Sequence, residues 1–338
     1  MIAAYKATID LIRNSQSFLV TTHTEPDGDA VGCILAFASV LRRLGKTVDT
    51  VCADPVPPSY CFLEGSSDVV TEPGAAAGRA WDVALVLDAA ALDRTGWVAE
   101  VAARCGTVVN IDHHRSNAYF GDENVVEMAG ACGELVYEVL SELGASLVTA
   151  EAEALYVAIL SDTGCFRFPT TTSRTLGIAA HLLDLGVRPY HAASQVYWQK
   201  SLPSLKILGD ALCTIEVSHD GKIAIMEITQ DMYREAGACG VDTEGFANYP
   251  RSIEGVAVGV LLRETERGHF RVSLRAAEGY DVDAIARVFG GGGHVTAAGF
   301  RIDGDLGAIK ARIRSEIAAR LDGGSAGSAR GTGKSSAK

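Results

Sequence analysis

Apolar positions along the first half of the chain fall into two alternating rhythms. Residues 3–14 set Ile9, Leu11 and Ile12 to one side, which predicts a helix. Residues 17–22 (SFLVTT) are short, apolar and β-branched, which predicts a buried strand. A helix is predicted over 29–44, ended by Gly45. Further strands are predicted at 47–53, at 83–87 (VALVL, ending at Asp88) and at 107–111 (TVVNI, ending at Asp112), with a helix at 98–104. Helical patterns at 131–144, 149–164 and 172–186 follow, broken by GVRP at 186–189. Apolar strands alternating with helices predict an α/β domain, a parallel sheet with helices on both faces. Ligands of such sheets gather beyond the carboxyl ends of the strands. His23, Asp88 and Asp112 each fall just past a predicted strand end.

After a helix at 190–200 the rhythm changes. SLPS at 201–204 reads as a linker. Residues 211–217 and 222–228 read as a hairpin around HDG at 219–221, and 256–264 with 269–276 as a second strand pair. A helix at 283–289, a glycine run at 290–293 and a closing helix at 306–321 complete a smaller α+β domain. The expected division is therefore a first domain at 1–188, a helical linker at 189–206, a second domain at 207–322 and a disordered tail at 323–338. That tail is rich in Gly and Ser, with three basic residues and no acid. Its Gly333-Lys334-Ser335 imitates the end of a phosphate-binding loop, but the first glycine of that motif would fall on Ser328 and no strand precedes it.

Composition narrows the picture. Of 338 residues, 48% are hydrophobic and 21% charged, so a folded core is expected. A net charge of −12 argues against a cationic face that coats long nucleic acid, and leaves room for a small anion held at one local site. The eight cysteines form no C-x-x-C pair and read as reduced thiols of a cytoplasmic protein. The first ten residues lack the apolar core of a signal peptide, and no apolar run nears the ~20 residues of a membrane span, so no membrane partner is expected.

Four segments carry candidate chemistry. His23-Thr-Glu-Pro-Asp27-Gly-Asp29 places one imidazole and two carboxylates on one strand-to-helix turn. Pro-Asp-Gly is also ordinary turn chemistry, and Asp29 suits a helix cap, so metal site and plain turn weigh about equally here. Asp88 is either a loop starter or a ligand. Asp112-His113-His114 puts two imidazoles beside an acid at a strand end. Asp162, in AILSDTG at 158–164, sits near the end of a predicted helix, where an acid is locally unfavourable. Brought together, these carboxylates would repel by ~4 kcal/mol per pair at about 4 Å and an effective dielectric of about 20. Two divalent cations would supply the counter-charge and would suit a phosphoryl displacement.

The set H-x-x-P-D-G-D, a strand-end Asp, D-H-H and A-I-L-S-D-T-G resembles, in order and spacing, the four motifs of the DHH phosphoesterase family. SLRA at 273–276 and FGGGGHVTAAGF at 289–300 resemble that family's associated C-terminal domain, and GFANYPRSIEG at 245–255 is similar to its nanoRNase/pAp-phosphatase branch. The resemblance spans about residues 5–322. It implies that His23 and Asp27 bind one metal, that Asp29, His113 and Asp162 bind the other, and that Asp88 bridges both. Asp112 would orient a histidine ligand, and His114 would face the scissile phosphate. The metals would be two divalent cations, Mn²⁺ first, with Mg²⁺ or another divalent ion as alternatives. The family often has Asn where Glu25 stands and Ser where Cys33 stands; neither is a ligand position.

The glycine run followed by His294 is either a flexible loop or a close backbone approach to phosphate, with free N–H groups as donors. With the resemblance, Arg275 and His294 are expected to hold the far phosphate of a short nucleotide beside Gly292 and Gly293, with Asn248 and Arg251 as further contacts. Residues 240–303 carry seven arginines, no lysine and nine acids, and no aromatic stripe. A long single strand is therefore not the expected substrate. The expected reaction is hydrolysis of short oligonucleotides and linear dinucleotides to mononucleotides, and of 3′-phosphoadenosine 5′-phosphate to AMP. A cyclic-dinucleotide phosphodiesterase, an inorganic pyrophosphatase and a non-catalytic nucleotide sensor are the alternatives. A homodimer is compatible with the sequence.

Overall fold

Three apolar strands, each bounded by a turn, make the centre of the first unit. The structure is a computed structural model and describes residues 5–76, 78–237, 243 and 245–325. The chain divides into two compact units, Met1–Gln199 and Lys200–Lys338.

The first unit runs α1 (Lys6–Asn14), β1 (Ser17–Thr21), α2 (Gly28–Arg43), β2 (Thr47–Thr50), β3 (Val83–Leu87), α3 (Val98–Ala102), β4 (Thr107–Asp112), β5 (Glu123–Val126), α4 (Cys132–Glu142), α5 (Thr149–Asp162), α6 (Ser173–Asp184) and α7 (Pro189–Ala193). Its five strands are all parallel, in the order β2-β1-β3-β4-β5. Alternate residues face opposite sides, as the strand period requires. Phe18, Val20, Leu85, Leu87, Val109 and Ile111 pack against α2, α4 and α5. Leu19, Ala84, Val86 and Val108 pack against Val98 and Val101 of α3. Both faces are thus covered, and β1, β3 and β4 lie side by side with their carboxyl ends together. That adjacency brings residues 23, 88 and 112 to one place.

Two helices of this unit approach unusually closely. A Cβ at Gly32 of α2 would sit 2.3 Å from the Ala154 carbonyl oxygen of α5, and one at Gly133 of α4 would sit 2.8 Å from the Ala158 Cβ. These contacts set the N-terminal half of α2 against the middle of α5, and the N-terminus of α4 against the C-terminal half of α5.

The second unit runs α8 (Leu202–Cys213), β6 (Glu216–Ser218), β7 (Ile223–Ile228), α9 (Gln230–Glu235), α10 (Asn248–Arg251), β8 (Val258–Glu266), β9 (His269–Ala276), α11 (Val282–Val288), β10 (Gly292–Gly293), β11 (Ala297–Asp303) and α12 (Leu306–Ser325). Its sheet has the order β10-β11-β9-β8-β7-β6, with β7 and β8 parallel and the other neighbours antiparallel.

Several local expectations change. Residues 201–204 are the start of a helix, not a linker: Ser201 caps α8 by accepting from the Ser204 N–H, and Pro203 sits in the first turn, where its missing N–H costs nothing. Residues 211–213 finish that helix, so the strand before the 219–221 turn is only Glu216–Ser218. Strands β5 and β11 were not expected; β5 is a short edge strand and β11 follows the glycine run. Helix α12 runs on to Ser325, and the remainder of the expected tail lies outside the described residues. The described cysteines are free thiols, and Cys239 lies outside them. No helix among the described residues is long and apolar enough to cross a membrane.

Candidate metal centre

The turn after β1 has to deliver three side chains within seven residues. Asp27, not Asp29, is the N-cap of α2: its Oδ1 accepts from the Asp29 and Ala30 N–H groups at 3.0 and 3.1 Å. That leaves Asp29 in the first turn, buried, where it faces α4. Asp29 Oδ2 accepts from the Cys132 N–H at 2.6 Å, and Oδ1 accepts from the Gly133 N–H at 2.9 Å and the Cys33 thiol at 3.3 Å. A carboxylate from one helix therefore caps the N-terminus of another, whose own cap residue, Ala131, has no suitable side chain.

Asp88 leaves β3 with φ +55°, a left-handed turn that an Asp tolerates better than most residues. Its Oδ1 lies 3.4 Å from His113 Nε2, and its Oδ2 lies 3.6 Å from His23 Nε2. His113 Nε2 also lies 3.6 Å from Asp29 Oδ2 and 3.5 Å from Asp162 Oδ2. Both imidazoles are turned by their other nitrogen, His23 Nδ1 on the Thr24 carbonyl (2.8 Å) and His113 Nδ1 on the Ala129 carbonyl (3.1 Å). With Nδ1 donating, Nε2 carries the lone pair of the neutral ring, the arrangement metal-binding histidines require.

The structure thus brings together His23, Asp27 and Asp88 in one set and Asp29, His113 and Asp162 in another. In each set the ligand atoms lie within 4.8 Å of one another. Separations of 3.4–3.6 Å exceed a good hydrogen bond. They match two ligands about 2.1 Å from a common ion at a roughly tetrahedral angle. Asp88 Oδ1 is buried and has no hydrogen-bond partner among the described residues, a costly state for a carboxylate oxygen unless a cation meets it. The donor set of imidazole and carboxylate suits Mn²⁺, Mg²⁺ or Zn²⁺. The residues fit divalent cations.

The electrostatics agree. Burial opposes the charged form of Asp88, yet His113 and His23 beside it hold its carboxyl well below the usual range. Burial and the charge of Asp88 push Asp29 well above it, with His113 opposing. Burial alone would lower the pKa of His23, but Asp88 and Asp27 raise it to about 9, and His113 is raised in the same way by Asp88 and Asp162. So many carboxylates around two imidazoles need positive charge, and protons supply it where metal does not.

Asp112 is also at the centre, but it pairs with His114 rather than with His113, the candidate ligand. His114 Nδ1 donates to Asp112 Oδ1 at 2.6 Å, and His114 stays partly open to solvent. Asn117 and Asn110, absent from the sequence reading, join this pair: Asn117 Nδ2 donates to Asp112 Oδ2 at 2.6 Å and to Asn110 Oδ1 at 2.7 Å. One signal was present, a lone Asn in the apolar strand TVVNI. Of the two departures from the family pattern, Cys33 donates to Asp29, and the Glu25 N–H donates to Asp54 Oδ2 at 2.8 Å.

In the second unit, Arg275 on β9 donates through Nε to Asn248 Oδ1 of α10 at 3.3 Å. Across the sheet from Arg275 stands Gly259, where a Cβ would meet the Arg251 backbone nitrogen at 2.5 Å. Asn248, Arg251 and Arg275 thus form one group. Arg251 Nε is buried without a hydrogen-bond partner among the described residues. The glycine run does not offer the free N–H groups expected of it. Gly292 and Gly293 form β10 against Gly299 and Ala298, and the Gly293 N–H donates to Asp283 Oδ1 at 3.0 Å. The N–H groups of Gly290, Gly291 and His294 bond to Arg287, Ala286 and Ala297 carbonyls.

Comparison with known proteins follows the same two-part division. Residues 17–159 match the DHH family N-terminal domain, and residues 220–319 match the DHHA1 domain. The chain is 34% identical over 310 residues to the bifunctional oligoribonuclease and PAP phosphatase NrnA of Thermus thermophilus, covering 89% of both chains. It is 28% identical over 291 residues to the Bacillus subtilis protein of the same description, covering 85% of this chain and 89% of that one. In fold it is similar to an exopolyphosphatase-related protein of Bacteroides fragilis, with a TM-score of 0.86, 24% identity and coverage of 96% and 97%.

Proposed function

The chain belongs to the DHH family, and from that premise we propose that it is a Mn²⁺-dependent hydrolase of short nucleotides. Its substrates are linear dinucleotides and other short oligonucleotides, cut to mononucleotides, and 3′-phosphoadenosine 5′-phosphate, cut to AMP. The relatives at 34% and 28% identity are described as oligoribonuclease and PAP phosphatase, which supports this substrate class. One observation carries the chemistry: the two oxygens of buried Asp88 each face a different histidine, and Oδ1 has no hydrogen-bond partner among the described residues.

In this reading His23 and Asp27 would hold one cation and Asp29, His113 and Asp162 the other, with Asp88 between the two sets as a ligand they would share. Such cations lower the pKa of the attacking water and offset charge on the phosphoryl group. Water adds to phosphorus, the bond to the 3′ oxygen breaks, and that oxygen gains a proton. His114, fixed by Asp112, presents Nε2 to the reacting phosphate and stabilises its charge. Arg275, Arg251, Asn248 and His294, with Gly292 and Gly293 shaping the strand beside them, hold the far phosphate and its nucleoside.

The test is a panel containing the labelled dinucleotide pApA, a pentanucleotide, 3′-phosphoadenosine 5′-phosphate, a cyclic dinucleotide and pyrophosphate, each with Mn²⁺ and with Mg²⁺. We expect AMP from the first three, and a loss of at least about 10³-fold in Asp88→Ala with the circular dichroism spectrum retained. Preferred turnover of pyrophosphate or of the cyclic dinucleotide overturns the substrate assignment. Activity of Asp88→Ala within tenfold of wild type overturns the role of Asp88.

A further inference from the structure

We propose that Asn117, braced by Asn110, is a positioning residue for His114. The inference rests on the role given to His114 above, and its starting point is a chain of hydrogen bonds whose polarity admits one assignment. Asn110 is wholly buried in β4 and donates through Nδ2 to two backbone carbonyls, Val86 and Ala89, each at 3.2 Å. Carbonyls only accept, so the amide oxygen of Asn110 must point the other way, toward Asn117. Asn117 then has to present its NH₂, with one proton for Asn110 Oδ1 at 2.7 Å and the other for Asp112 Oδ2 at 2.6 Å. Its own oxygen accepts from the Tyr119 N–H at 2.6 Å. Asp112, buried and acceptor-only, takes the last bond from His114 Nδ1 at 2.6 Å. The chain therefore fixes Nδ1 of His114 as the donor and turns Nε2 outward.

The same chain grips the neighbourhood of Asp88. Val86 and Ala89 bracket the left-handed turn at Asp88, and the Asp88 N–H donates to the Ile111 carbonyl of β4 at 2.9 Å. The Ala118 N–H donates to the Ala90 carbonyl at 2.8 Å. This backbone bond, with Asn117 Nδ2 at 3.4 Å from the Ala89 carbonyl, ties the loop after β4 to the loop after β3. A carboxylate with a single partner can swing about its Cβ–Cγ bond; with Asn117 on its second oxygen, Asp112 cannot, and the imidazole it holds cannot either.

Asn117 also closes its own loop through Tyr119, so a merely structural role has to be separated from positioning. Asn117→Ser does this: a serine oxygen can still accept from the N–H two residues on, but it cannot span to Asp112 and Asn110. We expect Asn117→Ser and Asn117→Ala both to lower kcat for pApA by about 10- to 100-fold. KM and the Mn²⁺ affinity read by calorimetry should stay within about threefold, and the downfield ring N–H proton signal of His114 in the metal-free protein should be lost or shifted. In a His114→Ala background the same changes should cost less than about threefold, because the group they position is gone. Asn117→Ser with near-wild-type kcat, an equal loss in the His114→Ala background, or failure of Asn117→Ser to fold would each overturn the proposal. If Asn117→Ala fails to fold, Asn117→Ser carries the test. A wild-type protein that leaves pApA intact would count against the proposed function instead; the ring N–H signal of Asn117→Ser would still test the positioning role.

Discussion

Asp29 and Asp88 belong to the same centre, yet their removal should be felt differently. Asp29 accepts two backbone N–H groups and a thiol, all buried. In Asp29→Asn one of those donors would meet an NH₂ group, so we expect the metal-free variant to lose about 1–3 kcal/mol of stability. Among the described residues Asp88 Oδ1 has no such partner. Against the opposition of burial, His113 and His23 favour its ionised form, so Asp88→Asn should lose stability at pH 7, and that loss should fade as the pH falls below the unfolded carboxylate value of about 4. Urea unfolding of both variants in chelator, followed from pH 7 down through pH ~4, checks this; a loss in Asp88→Asn that does not shrink with pH would refute the distinction. That His23, Asp88, Asp112 and His113 stand together was legible in the sequence, because each lies just past an apolar strand of one parallel sheet. The capping of α4 by Asp29 was not, because donor and acceptor are more than a hundred residues apart and Cys132-Gly133 offers only its backbone.

Helices α2 and α5 meet through glycine, and this sets the distance between Asp29 and Asp162. In an open helix Gly→Ala gains about 1 kcal/mol of propensity. At Gly32 the added Cβ would lie 2.3 Å from a backbone oxygen that cannot step aside, and overpacking of this kind costs about 1–3 kcal/mol or more. The clash wins, and we expect Gly32→Ala to lower Tm and weaken Mn²⁺ binding. Gly177 of α6 has nothing within 4 Å of its would-be Cβ, so Gly177→Ala should raise Tm and leave activity alone. A thermal melt of the pair decides it, and stabilisation by Gly32→Ala would show that the close approach does not matter. Elements with a continuous apolar run, β1, β3 and β4, could be read directly. Elements that depend on what they pack against could not. Strand β5 has the short edge sequence ENVV, and the first turn of α8 carries a proline that reads as a break until Ser201 is seen to cap it.

At the scale of the whole molecule the proposed roles fall to different units. The proposed ligands His23, Asp27, Asp29, Asp88, His113 and Asp162 lie in Met1–Gln199, whereas Asn248, Arg251, Arg275 and His294 lie in Lys200–Lys338. On a chain of net charge −12, an anionic nucleotide needs local cations. The first unit has clustered carboxylates that fit divalent cations, and the second has an arginine group in which Arg251 Nε is buried without an acceptor among the described residues. Composition alone could say that such a local site was permitted; the change of strand rhythm after residue 200 already placed the two kinds of charge in separate domains, and the fold divides the chain there as well. Hydrogen exchange can read the two roles apart. Ligands that bind only the folded protein stabilise it, by about 2.7 kcal/mol at a hundred times Kd, and slow exchange most where they touch. Mn²⁺ alone should slow exchange at 23–30, 88–90, 112–117, 129–133 and 162–166, and leave 248–251 and 292–300 unchanged. A non-hydrolysable dinucleotide added afterwards should slow exchange at 248–251 and 292–300. Arg275→Ala should abolish only this second response and raise KM for pApA by about tenfold, a loss of ~1.4 kcal/mol in binding. Metal-induced protection confined to the second unit, or nucleotide protection that survives Arg275→Ala, would reverse the assignment of the two halves.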